Sequence, residues 1–116
     1  MCNCDCMYCD NLWKIPPGLA GYEEAMKREL DTGQALAMLD RVIDQTGCGT
    51  ISLTGGEPLT RPDIFELASF ISSRGVNVTL VTNGTLLDKD KVMKAVDCGI
   101  STFELPLLSS RRETHN

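Results

Sequence analysis

Four cysteines fall within the first nine residues, Met1-Cys2-Asn3-Cys4-Asp5-Cys6-Met7-Tyr8-Cys9. Cys2, Cys6 and Cys9 stand at the spacing Cys-x3-Cys-x2-Cys, and Cys4 lies between the first two. Sulfurs this close in sequence can converge on one soft metal centre when the backbone loops around it. Thiolates suit zinc, copper(I) and iron–sulfur clusters. Three ligands from one loop leave one corner of a four-iron cluster without protein sulfur. An open coordination position is where chemistry can happen, by the logic that separates catalytic from structural zinc sites. A zinc knuckle using Cys2, Cys4, Cys6 and Cys9 is the competing reading of the same residues.

Two further stretches have the composition of ligand loops. Thr54-Gly55-Gly56-Glu57-Pro58-Leu59 carries two glycines, which let a ligand approach the backbone closely. Glu57 adds a carboxylate that can bind an ammonium group or hold the loop. Thr82-Asn83-Gly84-Thr85 contains Asn-Gly, a common turn. Taken singly, each stretch reads first as a turn and second as a ligand contact.

These loops need elements to position them. Residues from about Tyr22 to Leu30 are charged and helix-prone and form a short exposed helix. Asp31 or Thr32 can cap the next helix. Its apolar face is Ala35, Leu36, Leu39, Val42 and Ile43, at helical spacing. Gly47 and Gly49 end it, and Thr50–Thr54 is a short strand. Pro62 suits the first turn of another helix. That helix presents Ile64, Phe65, Leu67, Ala68 and Ile71 and closes at Gly75. Val76–Val81 is a second, β-branched strand. Asp88 caps a further helix with Val92, Ala95 and Val96 inward, and Ile100–Leu108 is the third strand. The marker glycines Gly49, Gly75 and Gly99 are 26 and 24 residues apart (75−49 and 99−75). Strands alternating with helices at this spacing imply βα units and a parallel sheet. Ligands in such sheets sit beyond the carboxyl ends of the strands. Both glycine-bearing stretches fall there.

Composition sets limits. At 116 residues the chain fits one small domain but is short for a closed eight-unit barrel of typically about 250 residues. A net charge of -5 argues against a general nucleic-acid surface, which needs a basic patch. No apolar run approaches the roughly 20 residues of a membrane span. No charged-then-apolar leader precedes the first cysteine, so the expected compartment is the cytoplasm. There the clustered cysteines favour a metal over disulfides. Cys48 and Cys98 precede strand-entry glycines and read as small buried hydrophobes. Trp13, the only Trp, reads as a packing residue first and a cover over the cysteine site second.

Taken together, the three motifs are far more specific than any one. Cys-x3-Cys-x2-Cys with Tyr8 before the last cysteine, Gly-Gly-Glu-Pro after a strand and Thr-Asn-Gly-Thr after the next resemble the radical S-adenosylmethionine (radical SAM) enzyme superfamily. The resemblance covers Cys2 to Asn116. It implies an α/β fold, a partial parallel (β/α) barrel with about three strands and three to four helices. It implies a 4Fe-4S cluster on Cys2, Cys6 and Cys9, whose open iron holds the amino and carboxylate groups of S-adenosylmethionine. Gly55, Gly56 and Glu57 match the loop that contacts the methionine end, and Tyr8 matches the position beside the adenine. Asn83 is a further expected cofactor contact, and Glu104 and Ser109 are the ribose candidates. At the third strand many relatives carry a Ser-x-Asp-Gly type ending that this chain lacks. The implied chemistry is reductive cleavage to a 5′-deoxyadenosyl radical, which abstracts hydrogen from a substrate. A one-electron donor such as flavodoxin or ferredoxin is the implied partner. The substrate stays open between a small molecule and a peptide, the latter from the look of Thr82 to Leu87 and Glu113 to His115. Cys4 matches no ligand position.

The family's cysteine loop follows a first strand, and its barrel continues past the third. Neither segment is in this sequence. The expectation is therefore a single fragmentary core domain over residues 1–116, with the cysteine loop in 1–18 and βα repeats in 31–116, and a chain that by itself is a poor catalyst.

Overall fold

The structure is a computed structural model, and it describes residues 2–4, 6, 9 and 20–106. Tyr8, Trp13, Ser109 and the segment Glu113 to His115, all named above, lie outside the described residues.

The elements follow in the order α1 (Tyr22–Lys27), α2 (Thr32–Thr46), β1 (Thr50–Leu53), a 3-10 turn (Pro58–Thr60), α3 (Ile64–Ser73), β2 (Asn77–Val81), α4 (Lys89–Asp97) and β3 (Ile100–Glu104). The strands form one parallel sheet in the order β1-β2-β3. Each strand after β1 is reached through a helix, as parallel pairing demands.

Local chemistry accounts for the helix ends. Asp31 caps α2 by accepting from Gln34 N–H at 2.8 Å, and the Gln34 side chain accepts from Asp31 N–H at 3.1 Å. This reciprocal capping box satisfies two otherwise orphaned donors. Asp88 caps α4 by accepting from Lys91 N–H at 2.7 Å. The Lys91 ammonium also bonds that carboxylate, and the two Lys91 bonds hold the Asp88 carboxyl below its usual range.

The core lies between the sheet and the helices on it. Ala35, Leu39 and Ile43 of α2 and Ile64, Leu67, Ala68 and Ile71 of α3 are buried with Val78, Leu80 and Ile100 of the strands. Arg74, at the end of α3, pairs with Asp40 and Asp44 of α2 and so staples the two helices together. Cys48 and Cys98 pack against this core, half-buried. Burial pushes the Cys98 thiol up from its ordinary value, and its Sγ lies 3.4 Å from the Ala95 carbonyl oxygen.

Three expectations change. Val42, expected on the apolar face of α2, is 39% exposed. Of the residues expected to face inward on α4, only Ala95 is buried; Val92 and Val96 are 38% and 58% exposed. The helix packs mainly on β3 at the end of the sheet, so only a narrow stripe of it is covered. β3 also ends at Glu104 rather than Leu108, just before Leu105-Pro106, where proline supplies no N–H to the ladder. Within β3, Val78 pairs with Ile100 and Thr79 with Thr102, which leaves Ser101 as an extra residue. Its hydroxyl donates to the Val78 carbonyl at 3.0 Å, so this small bulge keeps a partner for the carbonyl it displaces.

Among the described residues, β1 pairs only with β2, and its other edge is open. An apolar cavity of about 580 Å³ lies along that edge, between Met38 and Val42 of α2 and Ile51 to Leu53, and reaches Gly55 and Gly56. No helix among the described residues is long and apolar enough to cross a membrane.

Candidate active site

The two glycine-bearing loops leave the sheet at the carboxyl ends of β1 and β2. The first loop is organised by Glu57, whose side chain is 2% exposed. A carboxylate this buried is costly unless it is hydrogen-bonded, and it is. Oε1 accepts from Leu59 N–H at 3.0 Å and from the Thr82 hydroxyl at 2.7 Å. Oε2 accepts from Asn83 N–H at 2.8 Å. Glu57 thereby caps the 3-10 turn and ties the loop after β1 to the loop after β2. Of the two roles open to Glu57 in the sequence, the structure displays the second, holding the loop.

With its carboxylate turned inward, the loop offers backbone to the outside at Gly55 and Gly56. Gly55 is exposed and has φ +136°, a conformation side chains rarely adopt. Among the described residues, a Cβ there would meet no atom within 4 Å.

The far side of the same loop is fixed by Asp63. It accepts from the Thr32 hydroxyl at 2.6 Å and from Arg61 Nη2 at 2.8 Å, and Arg61 Nε lies 2.6 Å from its other oxygen. Burial works to raise the Asp63 pKa. The bonds from Arg61 and Thr32 outweigh it and hold the carboxyl below its usual range.

The loop after β2 is built on side chains bonding backbone. The Thr82 hydroxyl, buried beside Glu57, accepts from Gly84 N–H at 3.1 Å. Asn83 Oδ1 accepts from Thr85 N–H at 2.9 Å and from the Thr85 hydroxyl at 2.6 Å. Gly84 has φ +77°, and a Cβ there would come within 2.7 Å of the Leu105 side chain. The residue after β3 is thus packed against the loop after β2. Glu104, a ribose candidate, is the exposed last residue of β3, and its carbonyl accepts from Thr82 N–H at 3.0 Å. It therefore sits at the same edge of the sheet as Asn83.

The cysteine segment docks on this loop. Asn83 Nδ2 donates to Asn3 Oδ1 at 3.0 Å and approaches Cys4 Sγ at 3.5 Å. Asn3 Nδ2 donates to the Thr85 hydroxyl at 2.9 Å. Cys9 N–H donates to the Cys6 carbonyl at 3.1 Å, a turn that curls the second half of the motif. Cys2 is half-buried, Cys6 and Cys9 are exposed, and all are free thiols. Sequence reasoning missed Asn3 and Thr85. Both are short polar residues inside motifs read for other members, and their partners lie some 80 residues away.

The residues present fit a thiolate-bound iron–sulfur cluster in kind. Three free thiols lie on one short segment that bonds to the loop after β2. Among the described residues, no three metal-ligating side chains are already gathered. A metal held by these thiols would therefore have to gather them as it binds, as is common where ligands come from a short peptide. The apolar cavity touches the glycine loop from the β1 edge, and none of the described cysteines lines it.

Comparison with known proteins gives a consistent result. The model of the radical SAM superfamily matches residues 1–116. An AdoMet-dependent heme synthase of Methanosarcina barkeri is 35% identical over 117 residues, covering 99% of this chain and 30% of that protein. A PqqA peptide cyclase of Gluconobacter oxydans is 31% identical over 104 residues, covering 90% of this chain and 26% of that protein. The chain thus spans about a third or less of the length of these relatives. Among solved structures, BtrN in an open conformation superposes with a TM-score of 0.70 at 18% identity, over 98% of this chain and 49% of that one. The fold is therefore that of part of BtrN.

Proposed function

The chain belongs to the radical SAM superfamily, an enzyme family whose cofactors are a 4Fe-4S cluster and S-adenosylmethionine, and on that premise we propose that it is the cofactor-binding part of such an enzyme. The observation that carries this is the meeting of three motifs at one end of the sheet: the cysteine segment bonded to Asn83 and Thr85, and Asn83 bonded to the glycine loop through Glu57. When bound, the two cofactors supply one-electron cleavage of the sulfonium and hydrogen-atom abstraction, chemistry the protein orients and shields.

In this reading residues 1–116 act as one core domain. Cys2, Cys6 and Cys9 hold the cluster, and Cys4 does not. The backbone of Gly55 and Gly56 receives the methionine end, with Glu57 fixing the loop from behind. Glu104, at the edge of β3, is placed to meet the ribose side, and Tyr8 and Ser109 keep the roles that the resemblance gives them. A one-electron donor of the flavodoxin or ferredoxin kind reduces the cluster, and free thiols accord with a reducing cytoplasm. Relatives named for heme and for a peptide match the same residues at 35% and 31% identity. What they share with this chain is thus the common chemistry, and residues beyond the match select the substrate.

Anaerobic reconstitution with iron and sulfide tests the assignment. The expected protein is coloured, with the broad visible absorption of a thiolate-bound cluster. Cys2→Ser, Cys6→Ser and Cys9→Ser should each lose most of the iron, and Cys4→Ser should keep it. A colourless protein with stoichiometric zinc, lost on Cys4→Ser, would establish the four-sulfur zinc knuckle instead.

A further inference from the structure

We propose that Asn83 is a positioning residue for the cysteine segment and not a cofactor ligand: acting through Asn3, it sets where the thiols sit relative to the glycine loop. The proposal deepens the reading above and rests on it only for what the thiols bind.

The first argument is an accounting of one side chain. An asparagine amide has two N–H donors and an oxygen with two lone pairs. At Asn83 the nitrogen contacts Asn3 Oδ1 and Cys4 Sγ, and the oxygen accepts twice from Thr85. The amide is fully engaged within the chain, so no group of it is left over to hold a cofactor. Its backbone N–H is taken too, by Glu57.

The second argument is the closed shape of the contact. Asn83 donates to Asn3, Asn3 donates to Thr85, and Thr85 donates back to Asn83. Each residue is both donor and acceptor, so turning over either amide would set two donors or two acceptors against each other. The ring therefore accepts Asn3 in one orientation. Asn3 stands between Cys2 and Cys4, so orienting its side chain orients the backbone that carries the first thiol of the motif. The same Asn83 is fixed from behind by Glu57, which is fixed in the glycine loop. One chain of hydrogen bonds, Glu57 to Asn83 to Asn3, thus sets the distance between the part that would hold a cluster and the part that would hold the methionine end. Sites of this kind are useful only when such supports lock their first-rank residues.

The test is the rate of thiol alkylation in the metal-free protein, read cysteine by cysteine by mass spectrometry. Asn3→Ala and Asn83→Ala should each speed modification of Cys2 and Cys4 by about two- to tenfold, the range of one exposed hydrogen bond. Cys6 and Cys9, already exposed, should change little. The double variant should be no faster than either single one, because both break the same link. Asn3→Leu keeps the bulk without the polar atoms and should speed modification as Asn3→Ala does, whereas a merely space-filling role would keep the protection. Asn3 is exposed, so the Asn3 variants remain informative even if Asn83→Ala fails to fold. In the reconstituted protein, Asn3→Ala and Asn83→Ala should each release iron to a chelator faster and should raise alike the S-adenosylmethionine concentration that half-saturates the cluster's electron paramagnetic response, because both free the thiols from the glycine loop. Independent, multiplying effects of the two alanines on alkylation would overturn the proposal, as would no effect of either. Loss of S-adenosylmethionine binding in Asn83→Ala with Asn3→Ala normal would return Asn83 to the cofactor. If the wild-type chain takes up no cluster, the proposed function fails, and the alkylation data still decide whether Asn83 positions the segment.

Discussion

The loop after β1 and the cysteine segment, which the proposed function joins in one reaction, are held in opposite ways. The loop of Gly55 to Thr60 is locked from inside. A buried carboxylate bonds two backbone N–H groups and a buried hydroxyl, and the Thr60 hydroxyl closes the turn on the Glu57 carbonyl at 2.7 Å. The cysteine segment is held from outside, by exposed amide and hydroxyl contacts to Asn83 and Thr85. Burial decides the difference in strength. A buried polar group loses its full solvation when a partner is removed, whereas an exposed one falls back on water. The loop proposed to receive an organic ligand is thus preformed, and the segment proposed to receive a metal is held by weaker contacts.

Glu57→Ala should break this contrast most sharply. The variant leaves Leu59 N–H, Asn83 N–H and the Thr82 hydroxyl without their acceptor. At about 1–3 kcal/mol for the buried Thr82 hydroxyl and less for each of the two part-buried N–H groups, the expected loss is about 2 kcal/mol or more. That is a large part of the roughly 5–15 kcal/mol by which a domain is stable. Urea denaturation of the metal-free chain measures it. Cys6→Ser and Cys9→Ser, at exposed positions, should stay within about 0.5 kcal/mol of wild type in the same assay. Similar losses for Glu57→Ala and the cysteine variants would mean the two regions are not held differently at all.

Gly55→Ala sharpens the contrast at one residue. A Cβ at Gly55 meets no described residue within 4 Å, so no clash with them is created. The cost is conformational, because φ +136° is foreign to side-chain-bearing residues, and should be about 1–3 kcal/mol. Gly49→Ala is the matched control. Its Cβ also meets nothing and its φ is ordinary, so about 0.5 kcal/mol or less is expected. Equal costs at Gly49 and Gly55, by thermal or urea unfolding, would show that the loop is free to readjust.

What could be read in advance divides along the same line. The caps Asp31 and Asp88, the strand starts, the face of α3 and, Val42 apart, the face of α2 are local signals, made within a few residues of where they act. They were legible in the chain itself. The motifs could be placed at the ends of strands by the same local logic. The choice between the two roles of Glu57 was not legible, because it depends on Thr82 and Asn83, 25 and 26 residues on. Asn3 was invisible for the same reason at a greater separation. Val92 and Val96 misled in the other direction. Their apolar character fits an inward face, but how much of α4 is covered is settled by what packs beyond it, which periodicity does not record.

The smallest effect should come from acid, and it should fall on one region only. Asp63 fastens the glycine loop to the start of α2 through Thr32 and Arg61, and no corresponding carboxylate is described in the cysteine segment's contacts with the loop after β2. Its folded pKa is lowered, chiefly because the Arg61 and Thr32 bonds outweigh the opposing effect of burial. A lowered folded pKa means that the stabilisation is fully present above the unfolded value of about 3.9 and is lost as pH falls through the folded value. Wild-type stability should therefore decline below about pH 4 from this group. Asp63→Asn should start less stable at pH 7 and decline less between about pH 5 and 3, since it has no charge to lose. Asp88 is also lowered, by Lys91, and titrates alike in both proteins, so the difference between the two curves isolates Asp63. Hydrogen exchange locates the change. Amides of the 58–62 turn should lose protection in acid while those of Asn3 and Cys4 keep what they have, because the amides and hydroxyls of the Asn3, Asn83 and Thr85 ring do not titrate. Loss of protection in both regions together would mean that the glycine loop and the cysteine segment open as one unit, with Glu57 and Asn83 transmitting the change between them.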